Sequence, residues 1–388
     1  MKKTINNSRI PLFRDSGFYL SDIDTTKKAF ELEKEIKRDT DIYIYSRYRN
    51  PNVVEAENQI ITIEQSAWAL LTQSGMAAID LALSIFEKGN NTGKWLFFSE
   101  IYGGTNSYIE LVLKQKRGRD IEHFYSKNGK YDLTELELIL DKIKPELIYF
   151  EAVSNPMLIV ADVKKIIKLA KSRNIKIIVD NTFATPKLWK PLNDGADLVI
   201  HSVTKYLAGH GNLTAGVLCG NNPQFEKDAI EYRKWIGHTI SADDAYRLSD
   251  YLKTFDLRFE KHCQNAFKVA NFLEQHSQIE KVFYPGLKSH STYNEAVELF
   301  ADNGFGGMVT FDIKGDNNEE KFLNCNNFIY KVAENIALIP SLGDVETTLI
   351  PIEAVWGQKY PFPGMIRLSV GIENSDKIIS VLKNGLNF

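Results

Sequence analysis

KIIVDNTFATPKLWKPLNDGADLVIHSVTK, residues 176–205, is the stretch that decides the fold. It opens on a short apolar run that ends at Asp180. It closes on a second such run, ADLVIHS (196–202), which leads straight to Thr204 and Lys205. Short, nearly all-apolar runs suit strands buried on both faces, as in a parallel sheet. In open parallel sheets the ligand crevice lies outside the carboxyl ends of the strands. Asp180, Ser202, Thr204 and Lys205 therefore converge where a ligand would sit. That set suits a pyridine cofactor: the lysine forms a Schiff base, the carboxylate keeps the ring nitrogen protonated, and the hydroxyls take a phosphate. A strand-end Asp alone is more often a cap. The neighbouring lysine and hydroxyls carry the reading.

The alternation continues outward in both directions. KWLFFSE (94–100) and PELIYFEAV (145–153) read as strands, and DVKKIIKLAKSRN (162–174) as a helix between strands. SGMAAIDLALSIFEKG (74–89) reads as a capped helix that opens on Ser74-Gly75 and stops at Gly89. Strand–helix alternation implies a mostly parallel sheet, so the expected class is α/β. The boundaries expected are an arm over 1–58, a large ligand-binding α/β domain over 59–250 and a smaller α+β domain over 251–388. The arm is polar, carries the turn signal Asn50-Pro51 and has one helical stretch, TTKKAFELEKEIKRD (25–39). The last domain opens on one long helix (249–275), with GGMVTFDI (306–313) as a half-buried, alternating strand and IRLSVGIE (366–373) as a late one.

Composition narrows the function classes. Of 388 residues, 44% are hydrophobic and 25% charged, as in an ordinary soluble protein, and the net charge of −3 invites neither nucleic acid nor an anionic membrane. Cys219, Cys263 and Cys325 are odd in number and widely spaced, which argues against a disulfide framework or a zinc site and for a reducing compartment. MKKTINNSRIPLF lacks the apolar region of a secretory signal. A cytoplasmic location is the expectation.

Three further segments bear on chemistry. Ser202 and Lys205 also form an SxxK pair, as in serine acyl enzymes. Their companion motifs SDN and KTG are not matched by Ser249-Asp250-Tyr251 and Lys253-Thr254-Phe255. Ser74, Gly75 and Met76 stand where the run WALLTQ turns into a helix, and free N–H groups at a helix start bind phosphate. Tyr102, before Gly103 and Gly104, puts an aromatic ring on a tight turn, suited to stacking on a flat cofactor.

Taken together, YSRYRNP (45–51), SGMAA (74–78), IYGGT (101–105), SNP (154–156), VDNTFATP (179–186) and HSVTKYLAGH (201–210) resemble the Cys/Met-metabolism family of pyridoxal-phosphate enzymes. KTFDLRFEKHCQNA (253–266), YPGL (284–287), SLGD (341–344) and IRLSVGIE (366–373) continue the match in family order. The family holds cystathionine γ-synthases, cystathionine γ- and β-lyases, methionine γ-lyases and O-acetylhomoserine sulfhydrylases. The resemblance implies a fold-type I, aspartate aminotransferase-like architecture with pyridoxal 5′-phosphate as cofactor. It makes Lys205 the Schiff-base lysine and Asp180 the partner of the ring nitrogen. Ser202, Thr204 and the Ser74–Met76 turn would hold the phosphate. Tyr45 and Arg47 would reach the phosphate of a neighbouring subunit in a dimer or tetramer. Tyr102 would stack on the ring and serve as a catalytic acid. Asn155 would lie by the phenolic oxygen, and Ser341 and Arg367 would hold the substrate carboxylate.

The resemblance favours γ-elimination or γ-replacement on a sulfur-containing or O-acylated homoserine-type amino acid. Cystathionine β-lyase-like β-elimination, or methionine γ-lyase or O-acetylhomoserine sulfhydrylase chemistry, are the alternatives, and a cofactor-free binding relative is the reading of another class. Gly104 stands where methionine γ-lyases carry a cysteine. TTLIPIEAVWGQKYPFPG (347–364) replaces the family's His-Pro and Ser/Thr/His-rich stretch, so the pocket around Trp356 and Tyr360 is expected to differ. Arg258 and His262, on the long helix, are expected to pack rather than to catalyse.

Overall fold

The computed structural model describes residues 10–36, 40–87, 93–300 and 303–387. Gly89, the expected helix stop, lies outside them. Seven strands form the larger sheet: β1 Trp68–Thr72, β2 Trp95–Phe98, β3 Ile121–Phe124, β4 Leu147–Glu151, β5 Lys176–Asp180, β6 Leu198–His201 and β7 Gly216–Gly220. They lie in the order β1-β7-β6-β5-β4-β2-β3. All the pairings are parallel except those of β7, which runs antiparallel to both β1 and β6. β1, β2, β4, β6 and β7 are buried throughout, and β5 in all but Lys176, as their apolar runs require.

A second sheet holds β8 Ile279–Phe283, β9 Met308–Ile313, β10 Ala337–Leu338, β11 Thr348–Pro351 and β12 Met365–Ser369, in the order β10-β11-β12-β9-β8. Its apolar face packs against the helices Phe255–Glu274, Asn318–Val332 and Ser375–Gly385. The architecture is the expected α/β arrangement, a large, mostly parallel sheet with a smaller second sheet. No helix among the described residues is long and apolar enough to cross a membrane.

Four local readings change. The run from Ser249 is two helices, Ala242–Leu252 and Phe255–Glu274, broken at Lys253-Thr254. The Arg258 guanidinium fills the break, donating to the carbonyls of Tyr251, Tyr206 and Leu207 at 2.9–3.0 Å. Asn50-Pro51 is a helix start, not a turn. The Asn50 side chain accepts from the Asn52 N–H, and Pro51 opens the helix Pro51–Glu64, as proline does where no amide hydrogen is needed. The expected boundaries after 58 and after 250 thus both fall inside helices. β9, read as half-buried, is buried at all six positions. Its polar face is matched rather than wet, since Thr310 donates to the Pro156 carbonyl at 2.8 Å and Asp312 pairs with Lys321 at 2.9 Å. The described part of the arm has two helices, Ile23–Lys34 and the start of Pro51–Glu64.

Candidate active site

A cavity of about 250 Å³ opens at the carboxyl ends of the parallel strands. Ser74, Gly75, Met76, Tyr102, Asn155, Asp180, Ser202, Thr204, Lys205, Ser341 and Arg367, all singled out from sequence, line it. Asp180 ends β5. Ser202 follows β6, and Tyr102 lies just beyond β2. Ser341 lies in the crossing from β10 to β11, and Arg367 is central in β12. Tyr45 and Arg47 are not among the lining residues.

The phosphate-type corner is built by close approach. Ser74 caps the helix Gly75–Ser84, its hydroxyl accepting from the Ala77 N–H at 3.1 Å, which leaves the first helical N–H groups without intrahelical partners. A Cβ at Gly75 would stand 2.9 Å from the Ser202 hydroxyl, so only glycine lets that hydroxyl meet the helix start. Thr204 reaches the same corner, but its hydroxyl donates to the Ala215 carbonyl at 3.1 Å. It would have to rotate to serve an anion.

At the opposite corner lie two carboxylates. Glu151 and Asp180 end adjacent strands in register. Asp180 accepts from the Thr182 hydroxyl and N–H at 2.6 and 3.0 Å and from Tyr149 at 3.3 Å. Burial raises its carboxyl, opposed by the Thr182 bonds. Burial, then the Asp180 charge, holds the Glu151 carboxyl well above the usual range, and Glu151 accepts from the Tyr102 N–H at 2.5 Å. Among the described residues no ion pair joins either acid. A buried, unpaired carboxylate at a strand end is what a protonated ring nitrogen would satisfy. Glu151, Tyr149 and Thr182 were not singled out from sequence. For Glu151 the signal was its place at the end of PELIYFE, matching that of Asp180 in KIIVD.

Lys205 sits between these corners. Its ammonium donates to the Ser341 hydroxyl at 2.8 Å. Burial, and then the Arg367 charge, bring its amine down to about 8. Gly343, at φ +79°, makes the approach possible, since a Cβ there would lie 2.7 Å from the Tyr206 N–H nitrogen. The amine turns to Ser341, not to Ser202, so the SxxK geometry is not formed. Arg367 donates to Asn155 Oδ1 at 2.9 Å and to the Ser341 carbonyl at 3.3 Å, while among the described residues its buried Nε–H has no partner. Burial lowers its guanidinium to about 10. An unmatched N–H on a buried guanidinium is a waiting carboxylate site.

The family model described as Cys/Met metabolism PLP-dependent enzyme matches residues 1–387. This chain belongs to that family. It is therefore a pyridoxal-phosphate-dependent enzyme of Cys/Met metabolism. It is 33% identical to an L-methionine γ-lyase of Fusobacterium nucleatum subsp. polymorphum over 405 residues, covering 100% of this chain and 95% of that enzyme. It is 35% identical to a cystathionine β-lyase of Lactococcus lactis subsp. cremoris over 356 residues, covering 89% and 88%. Among solved structures, the metY protein of Campylobacter jejuni, which carries an N′-pyridoxyl-lysine-5′-monophosphate, superimposes with a TM-score of 0.84 at 27% identity, covering 98% of this chain and 95% of that one. The cofactor suits the cavity here: a helix start with a hydroxyl for the phosphate, an unpaired strand-end carboxylate for the ring nitrogen, and a buried amine between them.

Tyr45 and Arg47 lie on a separate face. The Arg47 guanidinium stacks over the rings of Tyr45, Tyr48 and Trp235 at 5.3, 5.0 and 5.9 Å and donates to the Lys234 carbonyl at 2.5 Å. Arg258 and His262 are buried structural groups. His262 bonds the Val370 carbonyl, and burial lowers its imidazole to about 4.

Proposed function

We propose that this enzyme carries out γ-elimination or γ-replacement on a sulfur-containing or O-acylated homoserine-type amino acid, with Lys205 as the covalent anchor of the cofactor. The observation that carries the reading is the convergence of Lys205, Asp180 and Arg367 on one cavity with a phosphate-type helix start. Bound pyridoxal 5′-phosphate supplies an electron sink for the charge left when the α-proton departs. Arg367 grips the substrate carboxylate through its free Nε–H, and Ser341 lies beside that carboxylate. The Lys205 amine, released from its anchor role, takes the α-proton and reaches Cβ from the same face. Ser341, 2.8 Å away, holds that amine in place. Tyr102, half exposed on the cavity lining, would stack on the ring and protonate the leaving group. The Asn155 carbonyl steadies Arg367, and its amide N–H₂ would be free to hold the ring's phenolic oxygen.

Pro340 and Leu342, which flank Ser341 on the cavity wall, favour γ over β chemistry, since β-lyases tend to carry an aromatic residue there. The similarity to a cystathionine β-lyase keeps β-elimination as the second reading. Cystathionine or an O-acylated homoserine is expected to yield 2-oxobutanoate or a γ-replacement product faster than cysteine yields pyruvate. Pyruvate formation dominating by tenfold, about 1.4 kcal/mol in barrier, would exchange the two readings.

The reading includes a dimer that shares its sites, assembled as a tetramer, with Tyr45 and Arg47 serving the neighbour's phosphate. Their absence from this chain's own cavity supports it. Mixed Arg47→Ala and Lys205→Ala chains should regain activity, because each hybrid dimer has one intact site. Well-formed hybrids with no activity would place Arg47 elsewhere. The three buried, unpaired cysteines support a reducing, cytoplasmic location.

A further inference from the structure

The segment that departs from the family pattern is built into the site wall. From β11 the chain enters a short helix, Ile352–Trp356, then a tight turn, Gly357–Lys359, before returning to β12. β11 and β12 are antiparallel, with Ile350 opposite Arg367, so the excursion folds back over the guanidinium. Ile352, Tyr360 and Met365 form an apolar cluster of their own, on which Trp356, Met157 and Phe283 pack. The excursion is also tied to the larger sheet. Tyr360 donates to Glu100, and Lys359 donates to the Ser99 carbonyl at 3.0 Å, both just beyond β2 and ahead of Tyr102. So pinned, the Trp356 ring lies 5.4 Å from the Arg367 guanidinium carbon.

Arg367 needs such a support. Its in-plane bonds go to Asn155 and the Ser341 carbonyl, and among the described residues its Nε–H has no partner. An indole face attracts a guanidinium and fixes its plane, more strongly where water is excluded.

We infer that Trp356 is a positioning residue that sets the plane of Arg367 for the substrate carboxylate, and so contributes to the choice of α-amino acids by this chain. The inference rests on the reading of Arg367 as the carboxylate anchor, and the test separates the two.

The holoenzyme is titrated with L-norvaline and with n-butylamine, the same skeleton without the carboxylate. Trp356→Ala and Trp356→Leu are expected to weaken norvaline binding by about 3- to 30-fold and to leave butylamine unchanged. Trp356→Phe should restore most of the loss. Leucine fills the space without a π face, so it decides the matter should the alanine variant fold poorly. Norvaline affinity within twofold of wild type in Trp356→Leu, while Arg367→Ala weakens it, would overturn the role of Trp356 and leave that of Arg367 standing. An equal loss for both ligands would also overturn it, as general damage to the pocket. An Arg367→Ala enzyme that binds norvaline normally would remove the anchor reading and this inference with it.

Discussion

Lys205→Ala is expected to lower turnover by about 10⁴-fold or more with the fold intact. A positioned proton-transfer group alone contributes about 10²–10⁴-fold. Lys205 is proposed to be both that group and the covalent anchor, so the loss falls at the top of this range or beyond. Its environment fits both tasks. Burial and the Arg367 charge hold the amine at about 8, against an ordinary lysine above 10. A lowered value means the neutral, nucleophilic amine is present above about pH 8 and is protonated below it. Cofactor-free protein should therefore take up pyridoxal phosphate at a rate that rises with pH through about 8. Arg367→Gln removes the second cause and should move that midpoint upward. Stopped-flow absorbance of cofactor uptake reads both. A Lys205→Ala enzyme within tenfold of wild-type turnover would contradict the assignment.

Asp180→Asn is the second large effect. Asparagine keeps the shape and can still accept from Thr182, but it cannot hold a ring nitrogen protonated. Loss of one aligned charge-stabilising group typically costs about 10²–10³ in kcat. Activity should fall by that much while the cofactor stays attached. Stability should move the other way. Burial raises the Asp180 carboxyl, so at neutral pH its charge weighs against the folded, cofactor-free chain. The cofactor-free variant should melt no lower than the cofactor-free wild type, by calorimetry. A variant with normal kcat would move the ring-nitrogen role to Glu151, the other strand-end acid.

The parts legible in the sequence share a cause. Apolar runs mark buried strands, and the first polar residues after them mark the crevice. That rule alone yields Asp180, Ser202 and Lys205. The same rule applied to PELIYFEAV would have yielded Glu151, but Glu151 is followed by Ala152 and Val153, which blur the strand's end. The full burial of β9 was hidden because Thr310 and Asp312 read as solvent-facing, and their partners, Pro156 and Lys321, come from other elements. The antiparallel course of β7 had no signal in GVLCG, since burial on both faces erases the alternation that distinguishes antiparallel strands. The meeting of Trp356 with Arg367 depends on the β11–β12 register, which the sequence between them does not state. Arg47 is a different case. Its motif came from the family pattern, and a single chain's cavity holds no place for it.

Lys205 is proposed to carry the cofactor, and borohydride trapping followed by peptide mass mapping reads this on the enzyme itself. The purified enzyme is reduced, digested and searched for phosphopyridoxyl-lysine. The modification is expected on the peptide spanning His201–His210, at Lys205, and is expected to be lost in Lys205→Ala. A modification on any other lysine of the active, yellow enzyme would contradict it.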